Sequence, residues 1–500
     1  MEAVKRWRTD WRYPTSLLCI YGFFSTVKPM EPFLIPYMTG PDKNLTTEQV
    51  SNQIFPVWTY SYLVVLVPVF LLTDWLRYKP VVVFQAVSLF ITTALLLWLK
   101  SVPAMQAMQF VYGMVTASEV AYFSYIYSVV DLKRYRKATS YSRSVQLLGY
   151  TVGSVLGQLL VSFDLMSYDN IMVLTLVLTA IAVLVSFLLP MPQQSMFFHR
   201  RHAGQTTATK GIKRHVDWTG DATEHTNRAM EEMGDEKVEK GETEDETGGV
   251  ELDEKGPKAE DLGKSVGAES CSQVILQLWR DFRHCYSSRQ LLYWSVWWAM
   301  ATCGYNQTVN YVQVLWEHVQ PSQNFSIYNG GVEAASNLLS AATAYGVGYT
   351  EVRWEHWGEL ALGGFSGLGA AALFLMTFIS NIWVCYTGYV IFKSLYMMLI
   401  TIAMFQIAAD LSMERYALVF GANTFGALVL QTIITAIVVD SRGLGLSIIP
   451  QFIINASYFS LIAVVFSLRG LFTIWKAQRS NKESTPSDKN EPPDSDEHRF

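Results

Sequence analysis

Glu31 and Glu119 each sit inside a long apolar stretch: PTSLLCIYGFFSTVKPMEPFLIPYM for the first, FVYGMVTASEVAYFSYIYSVV for the second. An ionisable side chain at bilayer depth costs roughly 2.5–3.5 kcal/mol to insert, so it faces a water-filled cavity or a partner and marks a route for a substrate or ion. Two readings fit these acids. They are counter-ions for a cation in passage, or Glu31 is simply neutralised by Lys28, one helical turn before it.

Further polar and aromatic groups share those stretches. Gln109, Tyr112 and Glu119 are spaced three and seven apart and fall on one helix face. Phe55 and Trp58 share another face, and Tyr150 lies among glycines that allow close helix packing. Later in the chain, Asn310 and Tyr311 interrupt an apolar run, and Glu333 sits near the start of the next, where the surface is close and solvation suffices. Asn310 is equally readable as an interhelical hydrogen bond. Carboxylates with aromatic rings suit an organic cation, because ring faces add about 2 kcal/mol of cation–π attraction once desolvated. A flat heteroaromatic ring would also stack there.

The elements that must position these groups are apolar runs of bilayer-spanning length. Twelve are legible: 15–38, 52–73, 80–99, 104–130, 144–163, 169–190, 289–316, 325–349, 358–378, 381–409, 415–440 and 447–472. They predict an all-α integral membrane protein with twelve transmembrane helices. The composition agrees, with 50% hydrophobic and 16% charged residues, against about 25% charged in ordinary soluble proteins. Residues 231–262 hold 14 acidic and 4 basic side chains, and without them the net charge of −5 becomes +5. The acidity therefore belongs to an insert, not to the membrane body.

That insert sets the domain organisation. An N-terminal six-helix half (1–191) and a C-terminal six-helix half (286–476) flank a cytosolic, disordered acidic linker (192–285), and a flexible tail (477–500) follows. Two six-helix halves joined this way match the 6+6 layout of the major facilitator superfamily, in which a midplane site is exposed alternately to either side. Alternate loops carry Arg77 and Lys79, then Lys133 to Lys137, then Arg353 and Arg415, which places both termini in the cytosol. The short Asp74–Pro80 loop is either an ion-pair lock on neighbouring helices or ordinary positive-inside charge. The sequons at Asn44 and Asn324 then fall outside as glycan acceptors, whereas those at Asn306 and Asn455 lie within runs and match by chance. The five cysteines form no disulfide framework, and no His/Cys cluster has metal-ligand spacing. No catalytic nucleophile–base pair appears in the runs, so an enzyme is not expected. Neither are a cofactor or a nucleic-acid partner, and a monomer in the bilayer suffices.

The strings EPFLIPY (31–37), GPDKNLT (40–46), FPVWTYSYL (55–63), LRYKPV (76–81), SYIYSVVD (124–131), SVLGQLLVS (154–162), CYSSR (285–289), IYNGGVEA (327–334), ERYALVFGANTF (414–425) and QFIINASYF (451–459) resemble the vertebrate folate/thiamine carrier family, also called the reduced folate carrier family. The likeness spans nearly all twelve runs and fails only in the insert and tails. Within the family it points to the thiamine branch, nearest its second type. In the folate branch the resemblance implies an arginine at the position of Glu119 and a lysine at that of Gln431. An acid at 119 repels an anion and attracts a fixed cation.

The resemblance implies thiamine uptake across the plasma membrane, with a site of Glu31, Phe55, Trp58, Tyr112, Tyr150, Asn310, Tyr311 and Glu333, and Glu119 in or beside it. Two positions depart from the family pattern. A glutamate expected against the aminopyrimidine ring is Gln109, and a tryptophan expected in the third run is Thr93. A neutral amide hydrogen-bonds about half as strongly as a carboxylate, which opens the alternative of a related organic cation or a vitamin B6 vitamer such as pyridoxine. The rival from another class is a receptor or scaffold acting through the acidic insert.

Overall fold

The computed structural model describes residues 12–129, 132–192, 271–322, 327–347, 354–408, 411 and 413–483. Among these residues there is no strand, and helix covers most of each of the twelve apolar runs. Before the insert the helices are α1 (Arg12–Thr26), α2 (Leu34–Thr39), α3 (Phe55–Trp75), α4 (Lys79–Trp98), α5 (Val102–Val129), α6 (Leu132–Ser162) and α7 (Tyr168–Leu188). After it come α8 (Cys271–Cys285), α9 (Arg289–Val319), α10 (Asn329–Val347), α11 (Trp354–Phe378), α12 (Ile382–Ala408), α13 (Met413–Ile434) and α14 (Ile448–Glu483). Helix α8 occupies the last 15 residues of the stretch assigned to the linker. The acidic centre of that stretch, the tail beyond 483, and Asn324 lie outside the described residues.

Eight helical segments are long and apolar enough to cross a bilayer among the described residues, within α3, α4, α6, α7, α11, α12, α13 and α14. The runs that fall short are the first, fourth, seventh and eighth. These four carry Glu31, the Gln109–Glu119 face, Asn310 and Glu333. Polar side chains lower the hydropathy of the helices that carry them.

The first run is not one helix. Pro29 has no N–H to donate and disfavours helical geometry at Lys28, so α1 ends at Thr26 and the chain resumes as a 3₁₀ turn (Glu31–Phe33) and then α2. Unwound backbone at membrane depth must find partners in protein. Side chains from the later helices supply them: Gln313 Nε2 donates to the Glu31 carbonyl at 3.1 Å, and Asn329 Nδ2 donates to the Pro32 carbonyl at 3.1 Å.

Helix α6 receives this break on a glycine stripe. A Cβ at Gly153 would stand 2.8 Å from the Lys28 backbone nitrogen, and one at Gly157 would overlap the Pro29 carbonyl. Gly149 meets Thr26 in the same way. The spacing of four residues puts all three glycines on one face, so the backbones approach closely there.

Candidate functional site

The break brings Glu31, Tyr112 and Tyr150 together around one ammonium group. Lys28 Nζ lies 3.2 Å from Glu31 Oε2, 5.5 Å from the Tyr112 ring centroid and 5.9 Å from that of Tyr150. Pairing of Glu31 by Lys28 is therefore real, yet the Glu31 side chain keeps 42% exposure against 14% for Lys28. The acid is neutralised without being sealed. Glu119, half-buried on α5, stands within electrostatic reach of Lys28 and Arg143 and makes no ion pair among the described residues. Gln109 is buried on the same helix.

Further aromatic groups are held by contacts between helices. The Trp58 indole donates to Thr116 Oγ1 at 3.0 Å, which fixes its ring on α3. Phe55 packs against Tyr311 of α9 with centroids 6.0 Å apart, joining early and late helices. Thr93 is buried and turns its hydroxyl onto the Leu89 carbonyl of its own helix at 3.0 Å. Where the family resemblance implies a broad indole, the chain presents only a methyl group.

Glu333 differs from its sequence reading. It is not solvated at a surface: Oε2 lies 2.7 Å from Lys393 Nζ and Oε1 accepts from the Tyr389 hydroxyl at 2.8 Å. Lys393 stands 11 residues into the 27-residue α12, roughly 17 Å along its axis, so the pair lies at depth. Trp316 meets Tyr389 edge-on at 5.2 Å and holds that ring in place. Tyr389 lies within electrostatic reach of Glu31 as well as of Glu333. Of the two readings of Asn310, the interhelical bond is not seen, since its Nδ2 is buried without a hydrogen-bond partner among the described residues. Gln431 accepts from Asn306 at 3.1 Å.

Lys393, Tyr389, Tyr305 and Tyr396 were not singled out from sequence. The signal for Lys393 was present, as the one charged residue in the α12 segment, and the argument that picked out Glu31 applies equally to a cation. Tyr305 and Tyr396 stack at 3.8 Å beside that pair, a contact with no sequence signature.

Near one end of the bundle, direct hydrogen bonds tie early to late helices. Gln158 of α6 donates to the Ile327 carbonyl at 2.9 Å and accepts from Gly331 N at 3.0 Å. Tyr60 donates to Asp440 at 2.6 Å, and Asn52 bonds the Leu446 carbonyl. Lys43 is buried at this end, donating to the Leu97 and Leu99 carbonyls, and burial pulls its ammonium below the usual lysine value. It anchors the turn in which Asn44 is exposed with φ 55°. Asn306 and Asn455, by contrast, are engaged in interhelical hydrogen bonds. At the opposite end, the Asp74–Pro80 loop closes on itself, with the Tyr78 hydroxyl on Asp74 at 2.6 Å and Lys79 on the Phe187 carbonyl.

The family profile described as reduced folate carrier matches residues 9–454. The chain belongs to the reduced folate carrier family. Members of this family are membrane transporters, not enzymes, and membrane transport of a vitamin is the activity that its relatives support. Thiamine transporter 1 of Homo sapiens is 53% identical over 96% of this chain and 94% of its own length. Thiamine transporter 2 of Macaca fascicularis is 49% identical over the same shares. The reduced folate transporter of Homo sapiens is 38% identical over 92% of this chain and 72% of its own. In fold, this family member resembles the nucleoside transporter NupG, with a TM-score of 0.53 at 11% identity over 91% of this chain and 98% of that one. A bacterial homologue of the lysosomal transporter Spinster, described as inward-facing and unoccupied, matches with a TM-score of 0.53 at 11% identity over 95% and 99%. The chain is thus a multi-pass membrane transporter whose fold neighbours are of the major facilitator type.

Proposed function

We propose that this carrier takes thiamine across the plasma membrane by alternating access between two six-helix halves, 1–191 and 286–476. The observation that carries the reading is a charge balance. Lys28 with Glu31 and Lys393 with Glu333 cancel in pairs, while Glu119 makes no ion pair among the described residues and lies within electrostatic reach of Tyr112 and Tyr150, as it does of Lys28 and Arg143. A carboxylate outside those two pairs suits a substrate with one fixed positive charge. A cation about 6 Å from Glu119 gains about 2.8 kcal/mol at an effective dielectric of 20. Tyr112, Tyr150, Trp58 and Phe55 enclose the rings, while Tyr311, Asn310 and Glu333 carry occupancy to the second half. The relatives named as thiamine transporters support the same substrate.

The twelve-span count follows from the apolar runs and the cytosolic termini from the basic loops, and both belong to this proposal. The hydrogen-bonded end, with Lys43, Asn44 and Asp440, is then extracellular, and its cross-half bonds are a closed outer gate. Asn44 and Asn324 are the proposed glycan sites, and a monomer suffices for the cycle. The buried, neutral Gln109 favours a second reading, a vitamin B6 vitamer such as pyridoxine.

A thermal-shift panel on the purified protein tests both. Thiamine is expected to raise the melting temperature most, pyridoxine less, and folate not at all. Stabilisation by folate alone, or by pyridoxine above thiamine, overturns the assignment.

A further inference from the structure

A cavity lies at the opposite end of the bundle from the hydrogen-bonded gate, where α9 and α13 begin and α12 ends. It encloses about 170 Å³ and is mixed in character. Arg415, His284, Ser288 and Gln406 give it cationic and hydrogen-bonding groups, and Ile407 and Leu411 give it apolar ones. None of these residues takes part in the site proposed for transport.

Helix α8 forms one rim of the cavity and is amphipathic. Its inner face is tied down: Asp281 pairs with Arg415 at 3.4 Å, Phe282 packs on Tyr286 at 4.6 Å, and the Tyr286 hydroxyl donates to Asn423 at 2.6 Å. Its outer face combines Trp279, 62% exposed, and Leu276, 49% exposed, with the exposed Arg280 and Arg283. Arg289 is exposed at the start of α9. Among the described residues, the rim carries four arginines (280, 283, 289 and 415) and one carboxylate, Asp281. A helix that displays tryptophan and leucine beside arginines, next to a membrane-crossing element, suits the headgroup layer of a bilayer.

We propose that this cavity and the outer face of α8 together bind an anionic phospholipid of the adjoining leaflet. Arg415 and His284 receive the phosphate, Ser288 and Gln406 hydrogen-bond the headgroup, and the acyl chains run past Ile407 and Leu411. Trp279 and Leu276 seat α8 at the interface. A free phosphate ion would satisfy the polar groups while leaving the apolar ones and the exposed tryptophan without a role. Charge complementarity also favours lipid, since each arginine near an anionic surface strengthens attraction roughly fivefold.

The full-length protein in nanodiscs tests this, with lipid retention read by native mass spectrometry. Discs of phosphatidylcholine alone are compared with discs holding a minor fraction of phosphatidylinositol phosphate. The wild type is expected to retain the anionic lipid selectively, and Arg280→Gln and Arg283→Gln each to weaken retention roughly fivefold. Arg415→Gln should abolish selectivity; because it also breaks the pair with Asp281, the two exposed arginine variants keep the test independent of folding. Equal retention of both lipids by the wild type, or arginine variants that behave as wild type, overturns the proposal. So does complete displacement of the lipid by inorganic phosphate, which would make phosphate alone the ligand.

Discussion

Lys28–Glu31 and Lys393–Glu333 are one kind of ion pair held in two ways, one in each half of the molecule. In the second half, lysine and glutamate come from continuous helices, with side-chain exposures of 8% and 16%, and Tyr389 fixes the carboxylate as a third partner. In the first half, both residues flank a proline break backed by the α6 glycine stripe, and the carboxylate is 42% exposed. The second pair is a fixed strut. The first is open to exchange: its ammonium already sits against Tyr112 and Tyr150, the surface on which a substrate cation would be held. On the proposed function, the first half would adjust to cargo while the Glu333 pair passes occupancy on as a rigid strut.

The strongest way to break this comparison is to remove one lysine from each pair. Lys393→Met strands a buried carboxylate, a change that costs about 3–5 kcal/mol. Lys28→Met leaves Glu31 in contact with solvent, and an exposed pair contributes only about 0–1 kcal/mol. Melting of the purified variants should show a large loss for the first and a small one for the second. The double variant Lys393→Met/Glu333→Met should recover most of the stability, because the unpaired charge is gone. Equal losses for the two lysines would mean that the halves do not differ in this way.

Glu119 comes next in size. If it supplies the counter-charge, Glu119→Gln should lower thiamine affinity by up to about a hundredfold, the 2.8 kcal/mol of the pairwise attraction. Surface expression and melting temperature should stay close to wild type, since no ion pair is lost. Unchanged uptake at equal expression would leave the adjustable half without its counter-ion.

A smaller effect is expected at the gate. Gln158→Leu removes two hydrogen bonds between the halves, each worth about 1 kcal/mol. The outer side should open more often, by a factor of roughly 30 in the equilibrium. Cysteine accessibility at the Tyr328 position, exposed beside that contact, is expected to rise in the Tyr328→Cys background. No rise would show that Gln158 packs the interface without gating it.

Much of this was legible in the sequence, for identifiable reasons. Helix covers the apolar runs because the bilayer allows spanning backbone few other forms. Glu31 and Glu119 stood out because charge is rare there. The partners did not: Glu333 looked superficial because it lies near the start of α10, and only the crossing of α10 with α12 brings Lys393 to it. The break in the first run was foreshadowed by Pro29 and Pro32, but an apolar count passes through prolines unaltered. Helix α8 was hidden by its neighbourhood, since it adjoins the acidic insert and its periodicity is short. Contacts such as Tyr305 on Tyr396 depend on two distant helices meeting and have no local trace.

The smallest predicted change sharpens the comparison furthest, because it adds charge to the adjustable half without touching either pair. Gln109→Glu converts a neutral hydrogen-bond acceptor into a charged one on the face that already carries Tyr112 and Glu119. Charge-assisted bonds are about twice as strong as neutral ones, so thiamine affinity should rise roughly fivefold, equivalent to about 1 kcal/mol. Pyridoxine, which lacks a fixed charge, should gain little. A competition assay that reads both vitamins on one preparation separates the cases. A matched gain for the two would indicate a general rise in negative potential, and no gain for either would place Gln109 away from the bound ring. A gain confined to thiamine would mean that the amide at 109 tempers affinity for a cation that the rest of the first half is built to hold.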